Sequence, residues 1–227
     1  MITVVGNLKG GCGKSTITFN LAVWLARHGI DVVTFDLDPQ ATLSDAIEVR
    51  REEGVTPDVK VFRSESDPAR IMANHRGEAL VDVGASNLWA MRQAIGQADR
   101  ILSPVPPSQA DVWSTARFLE IVKETASTRI KRPEIYLFVN RADTHPMLRE
   151  SDETEAALAT LPGVTVLKTR ICQRTAYRRS FSEGRAVFEL APGGKASQEF
   201  LELAGLLYPE LHSSATPSES RSSKQGA

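Results

Sequence analysis

Two lysines five residues apart enclose a run of glycines near the start of the chain, where residues 9 to 16 read Lys-Gly-Gly-Cys-Gly-Lys-Ser-Thr. Glycine lets a backbone approach a ligand closely, and the N–H groups of a loop that opens a helix favour a polyphosphate. Gly10, Gly11, Cys12 and Gly13 therefore read as a phosphate cradle that Thr16 completes. Lys14 supplies a point charge for β and γ phosphates, and the Ser15 hydroxyl an oxygen for Mg²⁺. The pattern G-x-x-x-x-G-K-[ST] is met except at its first glycine, which falls at Leu8. Lys9 is a charge that a simple phosphate loop does not require.

Three acids and an amide fall where such a loop would need them. Phe35-Asp36-Leu37-Asp38-Pro39-Gln40 sets two acids at spacing two, which on a strand leave the same face, and the proline stops the strand. The apolar run Ala79-Leu80-Val81 leads into Asp82, the form of a Walker B segment whose acid stands behind the ligands of Mg²⁺. Asn140, at the end of another apolar run, carries an amide that can meet both the donor and the acceptor on adenine's edge. Asn140-Arg141-Ala142-Asp143 is also close to the Asn-Lys-x-Asp guanine motif, with Arg in place of Lys. The paired lysines at 9 and 14 resemble those of a family of ATPases, and that resemblance implies ATP rather than GTP.

These groups can act together only if strand ends carry them to one edge of a sheet. Short apolar runs do alternate with helical periodicity, the pattern of a parallel sheet covered by helices. Strands are expected at Ile2 to Gly6, Asp31 to Phe35, Ala79 to Val83, Arg100 to Val105, Ile135 to Asn140 and 164 to 167. Helices are expected at 15 to 28, where Gly29 follows as a C-cap, and near 67 to 75, 87 to 97, 109 to 126, 148 to 160 and 195 to 207. The fold class is α/β: a single doubly wound, mostly parallel sheet with helices on both faces, with ligands beyond the carboxyl ends of its strands.

Residues 9 to 15 resemble the deviant Walker A signature Lys-Gly-Gly-x-Gly-Lys-[Ser/Thr] of the ParA and MinD group of ATPases. Residues 103 to 113 are similar to the proline-rich segment of small ParA proteins, so the resemblance runs from residue 1 to about 207. It implies that Lys9 is the signature lysine, which reaches the phosphates of a partner subunit and sandwiches ATP in a homodimer. Asp-x-Asp-Pro-Gln is similar to the family's second motif, which implies that Asp38 orients the attacking water and that Asp36 supports Mg²⁺ through water. Many members have a proline soon after the Walker B acid, whereas this chain continues Asp82-Val83-Gly84-Ala85-Ser86. The resemblance further implies slow, partner-stimulated ATP hydrolysis, binding to nucleoid DNA without sequence preference, and a cargo adaptor or activator of ParB type.

The 227 residues carry a net charge of −1, so no global field draws the molecule to nucleic acid or membrane. Residues 168 to 185 nevertheless hold six basic residues against one acid, and Arg174, Arg178, Arg179 and Arg185 are the DNA candidates. No apolar run nears the roughly 20 residues that span a bilayer, and the start lacks a signal-like pattern. Two cysteines suit a reducing compartment, so a cytoplasmic protein is expected, and the resemblance implies that it associates with the nucleoid. Residues 1 to 211 read as one domain and 212 to 227 as a disordered polar tail without the apolar face that membrane docking needs. Two other classes stand beside the positioning ATPase. One is a nitrogenase-reductase-like ATPase, for which two cysteines are few; the other is a small-molecule P-loop kinase, in which Lys9 would face an acceptor within one subunit.

Overall fold

The structure, a computed structural model, describes residues 1–63, 67–145 and 149–212. Its strands are β1 (Ile2–Val5), β2 (Val32–Asp36), β3 (Lys60–Arg63), β4 (Glu78–Asp82), β5 (Arg100–Val105), β6 (Glu134–Ala142) and β7 (Thr165–Cys172). They alternate with helices α1 (Lys14–Arg27), α2 (Thr42–Glu52), α3 (Pro68–Asn74), α4 (Leu88–Gln97), α5 (Gln109–Thr125) and α6 (Glu150–Ala159). Among the described residues four helices follow the last strand: α7 (Thr175–Ser182), α8 (Val187–Leu190), α9 (Lys195–Leu207) and α10 (Pro209–His212).

One seven-stranded sheet runs β3-β2-β4-β1-β5-β6-β7, and each neighbouring pair is parallel. Parallel strands need crossover helices, and those helices divide between the two faces. Ile17, Leu21 and Trp24 of α1, Leu43 and Ile47 of α2, and Phe200 of α9 build one core. Met91 and Ile95 of α4 with Phe118 and Val122 of α5 build the other. β1 lies between β4 and β5, so the crevice beyond its carboxyl end opens where the winding reverses.

α1 is buried on nearly every side from Ile17 to Leu25, and Gly29 at φ 75° ends it, with its N–H donating to Ala26 and that of Ile30 to Leu25. Two elements near the sheet's edge depart from the sequence expectation. α2 has an apolar stripe of Leu43, Ala46 and Ile47 whose fourth place is Arg50, a buried arginine that breaks the periodicity. β3 is a four-residue edge strand with charged ends. β7 extends to Cys172, five residues past the expected end, and α7 follows it, so the basic stretch is part strand and part helix. Of the expected tail, residues 213 to 227 lie outside the described residues, as does residue 148 at the start of the helix expected at 148 to 160.

Candidate nucleotide site

β1 runs straight into the glycine loop, and its exit is held from below. Asn7 is buried, and its Nδ2 donates to Ser103 Oγ, Pro104 O and Thr115 Oγ1 at 3.1 to 3.2 Å while Oδ1 accepts from Lys9 N at 3.1 Å. A single amide therefore fixes the loop's first turn to β5 and α5. Gly13 at φ 97° precedes α1 with no side-chain cap, so the helix's first N–H groups and its positive end face the loop. A Cβ on Gly13 would lie 2.3 Å from Asn140 Nδ2, which leaves glycine as the residue that fits.

The two lysines have different surroundings. Lys14 is 6% exposed and its Nζ donates to Lys9 O at 3.1 Å, inside the loop. The Lys9 side chain is 48% exposed, and its Nζ stands 4.0 Å from Asp111 Oδ1 at the start of α5. Asp111 is itself buried, with Oδ2 accepting from Ser108 Oγ and Oδ1 without a hydrogen bond. Cys12 is buried with its Sγ donating to Lys9 O at 3.3 Å, and burial pushes its thiol pKa up, which makes it a packing group rather than a thiolate.

Register brings the acids together. Asp36 and Asp82 are partners across β2 and β4, and Asp82 is the partner of Val5 at the end of β1. Asp36 Oδ2 accepts from Ser44 N at 2.8 Å and Ser44 Oγ at 2.9 Å, and so anchors the first turn of α2. Burial raises its pKa against those bonds. Asp82 is fully buried and neither carboxylate oxygen has a hydrogen bond of good geometry. Desolvation raises its pKa to about 7, opposed by the nearby Ser15 hydroxyl and Lys14 and reinforced by Asp36 and Asp38. A buried, unpartnered carboxylate beside Ser15 fits a divalent cation shared with phosphate oxygens. Among the described residues no group of three or more His, Cys, Asp or Glu could hold a metal alone, as is usual for Mg²⁺ that arrives with a nucleotide.

Asp38 corrects one expectation. β2 ends at Asp36, so Asp38 does not share a strand face with it; it belongs to the next turn, where its Oδ1 accepts from Gln40 N at 3.0 Å. Gly84 explains how close it comes to β4: a Cβ there would lie 2.7 Å from Asp38 Cγ. The turns after β2 and β4 thus touch beside the loop, joined to it by Thr42 Oγ1 donating to Ser15 Oγ at 3.3 Å.

Asn140 is buried and donates to Cys12 O at 2.6 Å, so it joins β6 to the phosphate loop. It also borders a cleft of about 630 Å³ that opens from Gly13 and Thr16 between α2 and α7. The four candidate DNA arginines do not form one patch. Arg174 is held bidentate by Glu199 and Arg179 pairs with Glu183 one turn on. Arg178 borders the cleft and Arg185 a separate groove, and neither has an acidic partner among the described residues. Sequence reasoning missed Asn7, Ser44 and Thr42. An amide directly after a strand was a readable signal for Asn7; the other two sit on a helix that was itself unread.

A family model described as the CobQ/CobB/MinD/ParA nucleotide-binding domain matches residues 3–187. The chain belongs to this family. Over 199 residues it is 29% identical to the maintenance of carboxysome distribution protein A of Halothiobacillus neapolitanus, covering 86% of this chain and 90% of that one. It is 28% identical over 193 residues to protein ParA of Rhizobium radiobacter, covering 81% and 83%. Among solved structures, the septum site-determining protein MinD of Pyrococcus horikoshii OT3, complexed with Mg-ADP, superposes with a TM-score of 0.69 at 20% identity, covering 91% and 94%. The fold of this ParA/MinD-family member and its deviant loop thus agree, and the nucleotide-binding domain spans the loop, all three acids and Asn140. No described helix is long and apolar enough to cross a membrane.

Proposed function

We propose that this ParA-type protein is a positioning ATPase that binds ATP with Mg²⁺, closes into a homodimer around it, and uses hydrolysis to release DNA and cargo. The observation that carries this reading is the opposite placement of the two lysines. Lys14 lies within its own loop, whereas Lys9 faces solvent beside Asp111 and is free to meet the phosphates of a second subunit. A second positive charge there offsets the repulsion between two bound triphosphates and stabilises charge that develops in transfer.

In this scheme the N–H groups of residues 10 to 16 and Lys14 bind the phosphates, and Ser15 ligates Mg²⁺ with Asp82 and Asp36 behind it. Mg²⁺, when bound, neutralises phosphate charge. Asp38, in the turn that touches Gly84, orients the attacking water, and Asn140 meets adenine. Arg178 and Arg185 meet DNA phosphates, with Arg174 and Arg179 supporting them through their ion pairs. A ParB-like adaptor or activator speeds an intrinsically slow cycle, and the cargo is a plasmid, a chromosome region or a protein assembly such as a carboxysome or a chemoreceptor cluster. The cell's nucleoid is then the track on which the cytoplasmic protein works.

Light scattering with ATP and Mg²⁺ tests the reading. Wild type, or Asp38→Ala if turnover drains the wild-type complex, should double in mass while Lys9→Ala stays monomeric with ATP bound. Wild type and Asp38→Ala both monomeric with ATP bound would turn the case toward a P-loop kinase.

A further inference from the structure

Arg50 is an arginine with no exposed surface, and each nitrogen of its guanidinium donates a hydrogen bond. Nε donates to Pro57 O at 2.9 Å and Nη1 to Gly184 O at 3.0 Å. Nη1 and Nη2 together grip Glu189 at 2.7 and 2.9 Å. The turn after α7 lies directly on this part of α2: Gly184 has φ 59°, and a Cβ on it would lie 2.3 Å from Arg50 N. Glu189 also accepts from Ala186 N, so the carboxylate itself is fixed. A buried ion pair of this kind is seldom a net source of stability, because desolvation offsets the attraction.

Its position suggests another role. The 630 Å³ cleft beside the phosphate loop has α2 as one wall, through Asp45 and Val49, and α7 as the other, through Tyr177, Arg178 and Phe181. Arg50 follows Val49, and Gly184 lies two residues beyond Ser182, so the ion pair adjoins the residues that line that cleft. α7 is held to α1 by Asn20, whose Nδ2 approaches Ser180 Oγ at 3.4 Å and whose Oδ1 accepts from Val187 N at 2.8 Å. The opposite end of α2 is held by Ser44 on Asp36 at the end of β2 and by Thr42 on Ser15. Thr42 and Arg50 stand about 12 Å apart along the helix, so what happens at Arg50 sets how far α2 stands from α7.

We infer that Arg50 and Glu189 are positioning residues that set the width of this cleft and thereby fix the base and ribose of the bound nucleotide, independently of the phosphate loop. This rests on the proposed contact of adenine with Asn140, which borders the cleft and would place the base there. Arg50→Lys keeps the charge and loses the fork, so α2 loses its register on Glu189 and Gly184.

The experiment is calorimetric titration of ATP and of inorganic tripolyphosphate, each with Mg²⁺, into wild type, Arg50→Lys and the double variant Arg50→Met/Glu189→Gln, which strands no buried charge. Circular dichroism confirms that each is folded. In wild type ATP binds more tightly than tripolyphosphate; in both variants ATP affinity falls by about tenfold while tripolyphosphate affinity holds. Affinities that stay unchanged, or that fall in parallel for the two probes in folded protein, overturn the inference. Equal affinity of wild type for ATP and tripolyphosphate removes the base site on which it stands.

Discussion

Lys9 Nζ and Asp111 Oδ1 stand 4.0 Å apart, joining the first residue of the glycine loop to the first turn of a helix more than a hundred residues later. Half-exposed pairs of this kind are worth about 0 to 1 kcal/mol, so Asp111 biases Lys9 rather than locking it. In the proposed dimer Lys9 leaves this acid for the partner's phosphates. In an Asp38→Ala background that holds ATP, Asp111→Asn should tighten the dimer by about two- to fivefold, read by sedimentation equilibrium. A weaker dimer would mean that Asp111 serves the closed state instead.

Lys14 and Asp38 separate binding from turnover. Lys14→Ala removes the buried charge inside the loop and should abolish measurable ATP binding, whereas Asp38→Ala should bind ATP normally and hydrolyse at least about 100-fold more slowly. Calorimetry and phosphate release give the two numbers. An Asp38→Ala variant with wild-type turnover would move the water-orienting role to another residue.

Asp82 gives a pH signature. Its folded pKa of about 7 lies above the ordinary value of 3.8, so the nucleotide-free fold binds a proton there that the unfolded chain has already lost. Stability is therefore greatest below the lower value, falls by about 1.4 kcal/mol per pH unit as pH rises between the two, and levels off above 7. Asp82→Asn, which cannot ionise, should melt higher than wild type at pH 8 and close to it near pH 4. Mg²⁺ with ATP should reverse the order at pH 8 by stabilising wild type more. A melting difference that is flat with pH would refute the buried charge as its cause.

The basic segment separates into residues that hold structure and residues that face solvent. Arg178→Ala with Arg185→Ala should weaken ATP-dependent DNA binding and lower the salt slope by about 1 for each phosphate no longer neutralised, with little change in melting temperature. Arg174→Ala, which strands Glu199 half-buried, should lower the melting temperature instead. Filter binding across a salt series and thermal melts distinguish them. Undiminished DNA affinity in the first variant would place the DNA surface on another face.

Residues 9 to 16 determined much of this protein without help, because a phosphate cradle is built from consecutive backbone N–H groups and its chemistry is local. The βα alternation was legible for a similar reason: buried parallel strands are unbroken apolar runs, and Ala79 to Val83 or Arg100 to Val105 has few other readings. α2 was hidden because its stripe is completed by Arg50, whose burial makes sense only once Glu189 and Gly184 arrive from over a hundred residues away. Only register could set Asp36 against Asp82, and only the packing of α5 on the loop could give Lys9 its acid. Likewise six basic residues in eighteen read as one patch, yet β7 turns Arg170 onto α6 and α9 claims Arg174, since a charge run says nothing of the acids that other elements bring to it. What is carried by neighbours in sequence could be read from the chain; what depends on neighbours in space was decided when the sheet brought its strand ends to one edge.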